Sequence, residues 1–286
     1  MPDFGIFRGF NSKLFSDKLY AGQLPTQLGT IGSINFTPFL LDLYPNAAVA
    51  YSLRLLRSAY TGSAIRVRRS SDNTEQDIGF TLGGVLNTTA LTSFCGSGNG
   101  FVTTWYDQSG NERNLMQSTA SSQPQIVSSG NVLLQNTKPT IDFVSKNMGS
   151  SAFSSAISQP NTYFITINKT NHTGYLFDSP TVNRQAQGDG DWIFAGSVAS
   201  GFYPTSKLGS QIILTILFNG SNSISRVNSI STGSGNPGNN AIGQLNIGRP
   251  SQLLTGKLQE FIMFPTNQTS NYTTIESNIN SYYAIY

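Results

Sequence analysis

The chain carries 14 carboxylates in 286 residues. Asp107, Glu112, Asp142, Asp178, Asp189, Asp191 and Glu260 are the candidates for chemistry in its strand-rich part. Paired carboxylates hydrolyse glycosidic bonds. One protonates the leaving oxygen and the other attacks or activates water, at a separation of roughly 5 to 9.5 Å. Sequence does not pair these residues, and no catalytic residue is assigned. Asp107 stands close to Gly110 in a turn, where a carboxylate ordinarily caps backbone N–H groups, so a structural role is expected. Glu260 lies in an apolar strand and is expected to face solvent or a cation. Asp189-Gly190-Asp191 supplies two carboxylates, too few for a hard-cation cage, and no metal site is assigned. Cys95 and His172 are the single cysteine and the single histidine. They exclude an intrachain disulfide and an ordinary zinc site. Cys95 reads as a small buried hydrophobe.

Sugar binding asks for less than hydrolysis: a flat aromatic face with planar amides or carboxylates at a sheet surface or loop rim. Tyr106, Tyr175 and Trp192 supply faces, and Asp107, Asn111 and Asp191 supply polar contacts. These six form the candidate glycan-binding set, and no cofactor is implied. Trp105, Tyr203, Asn114 and Gln185 belong to the same residue classes. Trp105 and Trp192 both sit in strand-like runs, where a place in the core competes with a place in a site.

The elements that must position these groups are mainly strands. Ile65-Arg66-Val67-Arg68 alternates as a half-buried strand. From Gly100 onward, 101–106, 139–144, 162–168, 192–196, 211–218, 244–248 and 257–264 read as strands, with Asn219-Gly220 as a hairpin turn. Many short strands with turn chemistry between them signal a sandwich or barrel. Three helices are expected. One opens at Pro45 with Ala48, Tyr51, Leu55 and Ala59 on a face. One runs from the N-cap Asn87 to Phe94, where Gly96 stops it. A C-terminal helix has Ile275, Ile279 and Tyr282 at i, i+4 and i+7.

Residues 1–44 read differently. Phe4, Phe7, Phe10, Phe15, Leu19 and Tyr20 are apolar, but glycines break every period, so this arm is expected to dock on its own domain or on another chain. The domains are therefore an arm, 1–44, and a sandwich, 45–286. Charged residues make up 11%, with a net charge of +3. No basic run is interleaved with aromatics, and nucleic acid is not an expected partner. No run approaches the ~20 apolar residues of a membrane span, and the N-terminus does not read as a signal peptide.

Several motifs keep the order found in a known family. They are Ala50-Tyr51-Ser52-Leu53-Arg54, Ser58-Ala59-Tyr60-Thr61-Gly62, Ile65 to Asp72, Phe94-Cys95-Gly96, and Trp105-Tyr106-Asp107-Gln108-Ser109-Gly110-Asn111. Over roughly residues 45–145 the chain resembles the catalytic domain of fungal arabinofuranosidase B. Residues 256–261 and 275–283 are similar to the last strand and helix of laminin-G-like modules. With the arm, the whole resembles tailed-bacteriophage structural proteins. The resemblance implies a mainly β, concanavalin-like jelly-roll sandwich with a few short helices. The hydrolases use two carboxylates and a vicinal disulfide in the sugar pocket, and one cysteine cannot form the latter. The expectation is therefore a non-catalytic virion protein, a capsid decoration or head or tail fibre subunit, on the virion surface after synthesis in the host cytoplasm. It would be a homo-oligomer joined to capsid or other virion proteins through the arm, and would expose a lectin-like sandwich to host or environmental glycans. The alternatives are a glycoside hydrolase related to arabinofuranosidase, or a free carbohydrate-binding module.

Overall fold

The computed structural model describes residues 38–286 apart from 171, 173, 180–183, 189–191, 197–198, 201–207 and 250. The arm residues Phe4, Phe7, Phe10, Phe15, Leu19 and Tyr20 lie outside the described residues, as do Asp189, Asp191 and Tyr203. Pro38–Tyr286 forms one unit, and it holds the sandwich.

Two antiparallel sheets face each other. The first runs, in spatial order, Val49–Ser52, Gly256–Phe264, Asn161–Lys169, Ile212–Phe218, Ser223–Val227 and Ile230–Gly235. Its central strands are apolar on both faces because both faces are covered. Tyr163, Ile165, Ile167, Phe261 and Met263 pack into the core between the sheets. Phe164, Ile213, Ile262 and Phe264 pack outward under helices α1 (Leu40–Leu43) and α3 (Tyr272–Tyr283). The Asn219-Gly220 turn joins Ile212–Phe218 to Ser223–Val227 as the sequence indicates.

The second sheet runs Glu75–Ile78, Ile65–Arg69, Gly100–Trp105, Leu115–Met116, Met148–Gly149, Asn246–Ile247, Phe177–Asp178, Ala186–Gln187, Ile193–Phe194 and Ala199–Ser200. Gln125–Ser128 and Ile141–Asp142 link the two sheets along one edge. Trp105 is fully buried against Tyr51, at 6.0 Å between ring centroids, so the core claims it. Helix α2 (Thr88–Cys95) is capped as read: Asn87 Oδ1 accepts from Ala90 N at 3.0 Å. Cys95 is buried and free.

The expected helix after Pro45 does not form. Val49–Ser52 is a strand, paired antiparallel with Gly256–Phe264. All four of its residues are buried, and an apolar run covered on both faces has no alternation to distinguish it from a helix. Residues 38–44, read from sequence as the end of the arm, belong to the sandwich unit, with Leu40 and Leu41 buried beneath α3. In α3, Ile275 and Ile279 are buried as expected, but Tyr283 joins them in place of Tyr282 because an i, i+4, i+8 row continues the same stripe. Among the described residues, no helix is long and apolar enough to cross a membrane.

Candidate functional site

Helices α1 and α3 cover one sheet. The outer face of the other presents a line of side chains across its strands. Register pairs Asp77 with Arg66, Arg66 with Thr104, and Thr104 with Met116. The line continues from Met116 to Gly149, Gly149 to Asn246, and Asn246 to Asp178. Residues in register share a face, and their neighbours Val67, Leu115, Met148, Ile247 and Phe177 turn into the core. Gly149 keeps the line passable. A Cβ there would come within 2.5 Å of Asn246 Oδ1, so the missing side chain lets Asn246 lie across the neighbouring strand.

At the Asp178 end the line becomes a cluster. Arg184 Nε donates to Asp178 Oδ1 at 2.8 Å, and Arg249 Nε lies 3.5 Å from Oδ2. Both guanidiniums also cover Tyr175, at 5.3 Å and 5.2 Å from the ring centroid. Tyr175 in turn stacks on Phe194 at 6.3 Å. Burial works against the Arg184 charge, but Asp178 and the Tyr175 hydroxyl outweigh it and hold its pKa above the ordinary value. Asp178 is almost fully buried, while Arg249 keeps 40% of its side chain exposed. A carboxylate, aromatic rings, guanidinium forks and an amide thus meet at one end of an uncovered sheet face. Those are the group types that recognise a sugar. Gly188, in the same hairpin, leaves room for the Tyr175 ring, since a Cβ there would sit 2.5 Å from Cε1.

The family model for the catalytic domain of α-L-arabinofuranosidase B matches residues 43–178. Residues 43–178 resemble that catalytic domain. The probable α-L-arabinofuranosidase B of Aspergillus terreus is 40% identical over 99 residues, covering 32% of this chain and 20% of that protein. The α-L-arabinofuranosidase B of Aspergillus oryzae is 39% identical over 74 residues, covering 26% of this chain and 15% of that protein. The chain therefore spans a fifth or less of these relatives. Among solved structures, a GH54 α-L-arabinofuranosidase soaked with a cyclic sulfate inhibitor superposes with a TM-score of 0.63 at 17% identity, covering 84% of this chain and 64% of that one. An arabinofuranosidase complexed with arabinofuranosyl-α-1,2-xylobiose gives 0.61 at 17%, with the same coverage. At such identity the likeness shows the fold: the jelly-roll sandwich expected from sequence.

These matches overturn the expectation of a non-catalytic capsid or fibre subunit. They point to an arabinofuranosidase-like domain, a glycoside-hydrolase relative, and not to a phage virion protein. A missing second cysteine removes one feature of a pocket, whereas the match runs across residues 43–178.

The five described candidate sugar ligands do not all lie together. Asp107 is buried and its carboxylate is fully engaged. Oδ1 accepts from Ala50 N at 2.8 Å and Ser109 N at 2.9 Å, and Oδ2 accepts from Ser109 Oγ at 2.8 Å and Arg113 N at 3.1 Å. Asn111 donates to the carbonyls of Ala47 and Ala48, both at 3.1 Å. The most family-like motif is thus a clasp fastening the turn after Gly100–Trp105 to the start of Val49–Ser52. Tyr106 stands at the far end of the outer line, donating to Asp77 Oδ1 at 2.7 Å. Tyr175 lies in the Asp178 cluster, half-buried Trp192 is in the adjoining hairpin, and Asp191 is outside the described residues. Arg184, Arg249 and Phe194 were missed. Nothing local distinguishes an arginine that folds back over an aspartate on another strand. Glu260 takes the cation half of its expectation: fully buried, it accepts from Arg54 Nε at 2.8 Å.

Proposed function

We propose that this chain is a glycoside hydrolase of the α-L-arabinofuranosidase kind, acting on arabinofuranosyl groups at the outer face of the second sheet around Asp178. The observation that carries the reading is the match of the family's catalytic domain to residues 43–178, which ends on the carboxylate that two arginines and two aromatic rings surround. The other buried carboxylates among the described residues are held elsewhere: Asp107 in its turn, Glu260 on Arg54 and Glu276 on Arg226. Glycoside hydrolysis needs a second carboxylate. In sequence, Asp189 and Asp191 lie between Ala186–Gln187, the strand next to Asp178, and Ile193–Phe194.

Release of 4-nitrophenol from 4-nitrophenyl α-L-arabinofuranoside tests the reading. The wild-type chain should turn the substrate over. Asp178→Asn should lower kcat/KM by roughly a hundred-fold or more, about 3 kcal/mol of transition-state stabilisation. Single Asn variants at Asp189 and Asp191 then locate the partner. A folded wild-type chain that releases neither nitrophenol from this substrate nor arabinose from arabinofuranosyl oligosaccharides refutes the proposal.

A further inference from the structure

The Asp107 clasp builds one wall of a cavity of about 360 Å³. Arg57, Arg113 and Asn111 line it together with the apolar Leu41, Ile157 and Pro265. It shares no residue with the Asp178 cluster. Neither of its two arginines pairs with a carboxylate. Arg54, Arg66, Arg69, Arg184, Arg226 and Arg249 each hold one. Arg57, Arg68 and Arg113 hold none among the described residues, and Arg68 donates instead to the Gln123 and Asn73 amides. Arg57 Nη1 donates to the Ser109 carbonyl at 2.7 Å, and Arg113 Nη1 to the Ala48 carbonyl at 3.1 Å. The Arg113 guanidinium also lies 4.4 Å from the Phe153 centroid. Asp107 shares the turn, but its oxygens are taken by Ala50, Ser109 and Arg113 backbone N–H groups and the Ser109 hydroxyl.

Arg57 Nε is buried without any partner. An unmet buried donor is unfavourable and calls for a partner, which a ligand can supply. The backbone is shaped around this guanidinium. Gly110 sits at φ +96°, and a Cβ there would lie 2.9 Å from Arg57 Nη1. Two half-buried cations beside one cavity, neither paired directly with a carboxylate, favour an anion between them. Guanidinium forks match a carboxylate's two oxygens, and the apolar lining suits a hydrocarbon body.

We propose that this cavity binds a small organic carboxylate, its oxyanion between Arg57 and Arg113 and its apolar portion on Leu41, Ile157 and Pro265. The carboxylate comes from a free organic acid or from an acidic sugar of a glycan, and both present the same group. The site does not rest on the hydrolase reading.

The test titrates the full chain with sodium benzoate and its neutral isostere benzamide, with digalacturonate and its methyl ester, and with inorganic phosphate. Binding is followed by calorimetry and by the arginine Nε–H resonances. At least one acid should bind about ten-fold or more tightly than its neutral counterpart and shift the Arg57 and Arg113 resonances. Arg57→Gln and Arg113→Gln should each weaken it by about ten-fold, with Arg113→Lys in between. The acid that binds names the source. The proposal is overturned if neither acid exceeds its neutral counterpart at millimolar concentration, if the Gln variants bind unchanged, or if phosphate binds as well as either acid. Should a Gln variant fail to fold, the wild-type acid-against-neutral comparison and Arg113→Lys still decide.

Discussion

Asp107 and Asp178 are two carboxylates in one sandwich with opposite employment. Asp107 accepts four hydrogen bonds inside a turn and is 4% exposed. Asp107→Ala leaves buried N–H groups without acceptors and should lower unfolding free energy by about 3 kcal/mol in a urea titration. A loss of under about 0.5 kcal/mol would show the clasp to be dispensable. Tyrosines set the alkaline limit. Burial first, and then the Asp77 hydrogen bond, push Tyr106 up to about 12. Burial, with lesser help from Asp107, does the same for Tyr60. A pKa raised in the folded state gives stability that is complete below the unfolded value near 10 and is lost as pH climbs through the folded one. Stability should therefore fall between pH 10 and about 12, and Tyr106→Phe should flatten that fall. Melting temperatures across the alkaline range read both effects.

Helix α3 is held by polar contacts as well as by its apolar stripe. Glu276 accepts from Thr215 Oγ1 and Ser229 Oγ, both at 2.7 Å, and from Arg226 Nε at 3.0 Å. Glu260 receives Ser52 Oγ at 2.7 Å as well as Arg54, and the Arg54 guanidinium reaches back to Asn278 of the helix at 3.0 Å. Breaking one member of such a pair strands the other charge. Glu276→Gln should therefore destabilise the sandwich by roughly 3 kcal/mol, comparable with the 2–5 kcal/mol expected for the cavity left by Ile279→Ala. Chemical denaturation of both variants measures this. Equal stability of Glu276→Gln and wild type would mean that packing alone fixes the helix. The sequence shows the Ile275 and Ile279 stripe plainly. It does not show Glu276 as buried, because a charged residue in a helix ordinarily faces solvent, and only the position of Arg226 on a distant strand reverses that.

At the scale of the molecule, the boundary of the sandwich falls where the two sheets and their helices are closed. Leu40 and Leu41 are 1% and 3% exposed in the layer with Ile275 and Ile279. A chain lacking residues 1–37 should keep a cooperative thermal transition. A chain lacking 1–44 loses both leucines, at about 2–5 kcal/mol each, and should melt markedly lower or not fold. Equal melting temperatures for the two truncations would place those leucines outside the core.

What the sequence determined by itself was local or periodic: the strands Ile65–Arg69, Asn161–Lys169 and Ile212–Phe218, the Asn87 cap, the Asn219-Gly220 turn, and the structural reading of Asp107. Each follows from propensities and hydrogen-bonding habits of residues near one another in the chain. The strand after Pro45 misled because burial on both faces erases alternation. A single cysteine rules out one pocket disulfide but says nothing of the scaffold, whose match to the arabinofuranosidase B catalytic domain extends across residues 43–178. Only the tertiary structure decided that Asp178 meets Arg184, Arg249, Tyr175 and Phe194, and that Arg57 and Arg113 share a cavity. Those meetings depend on strand register and on long side chains folding across neighbouring strands, which are relations among distant residues that no local pattern encodes.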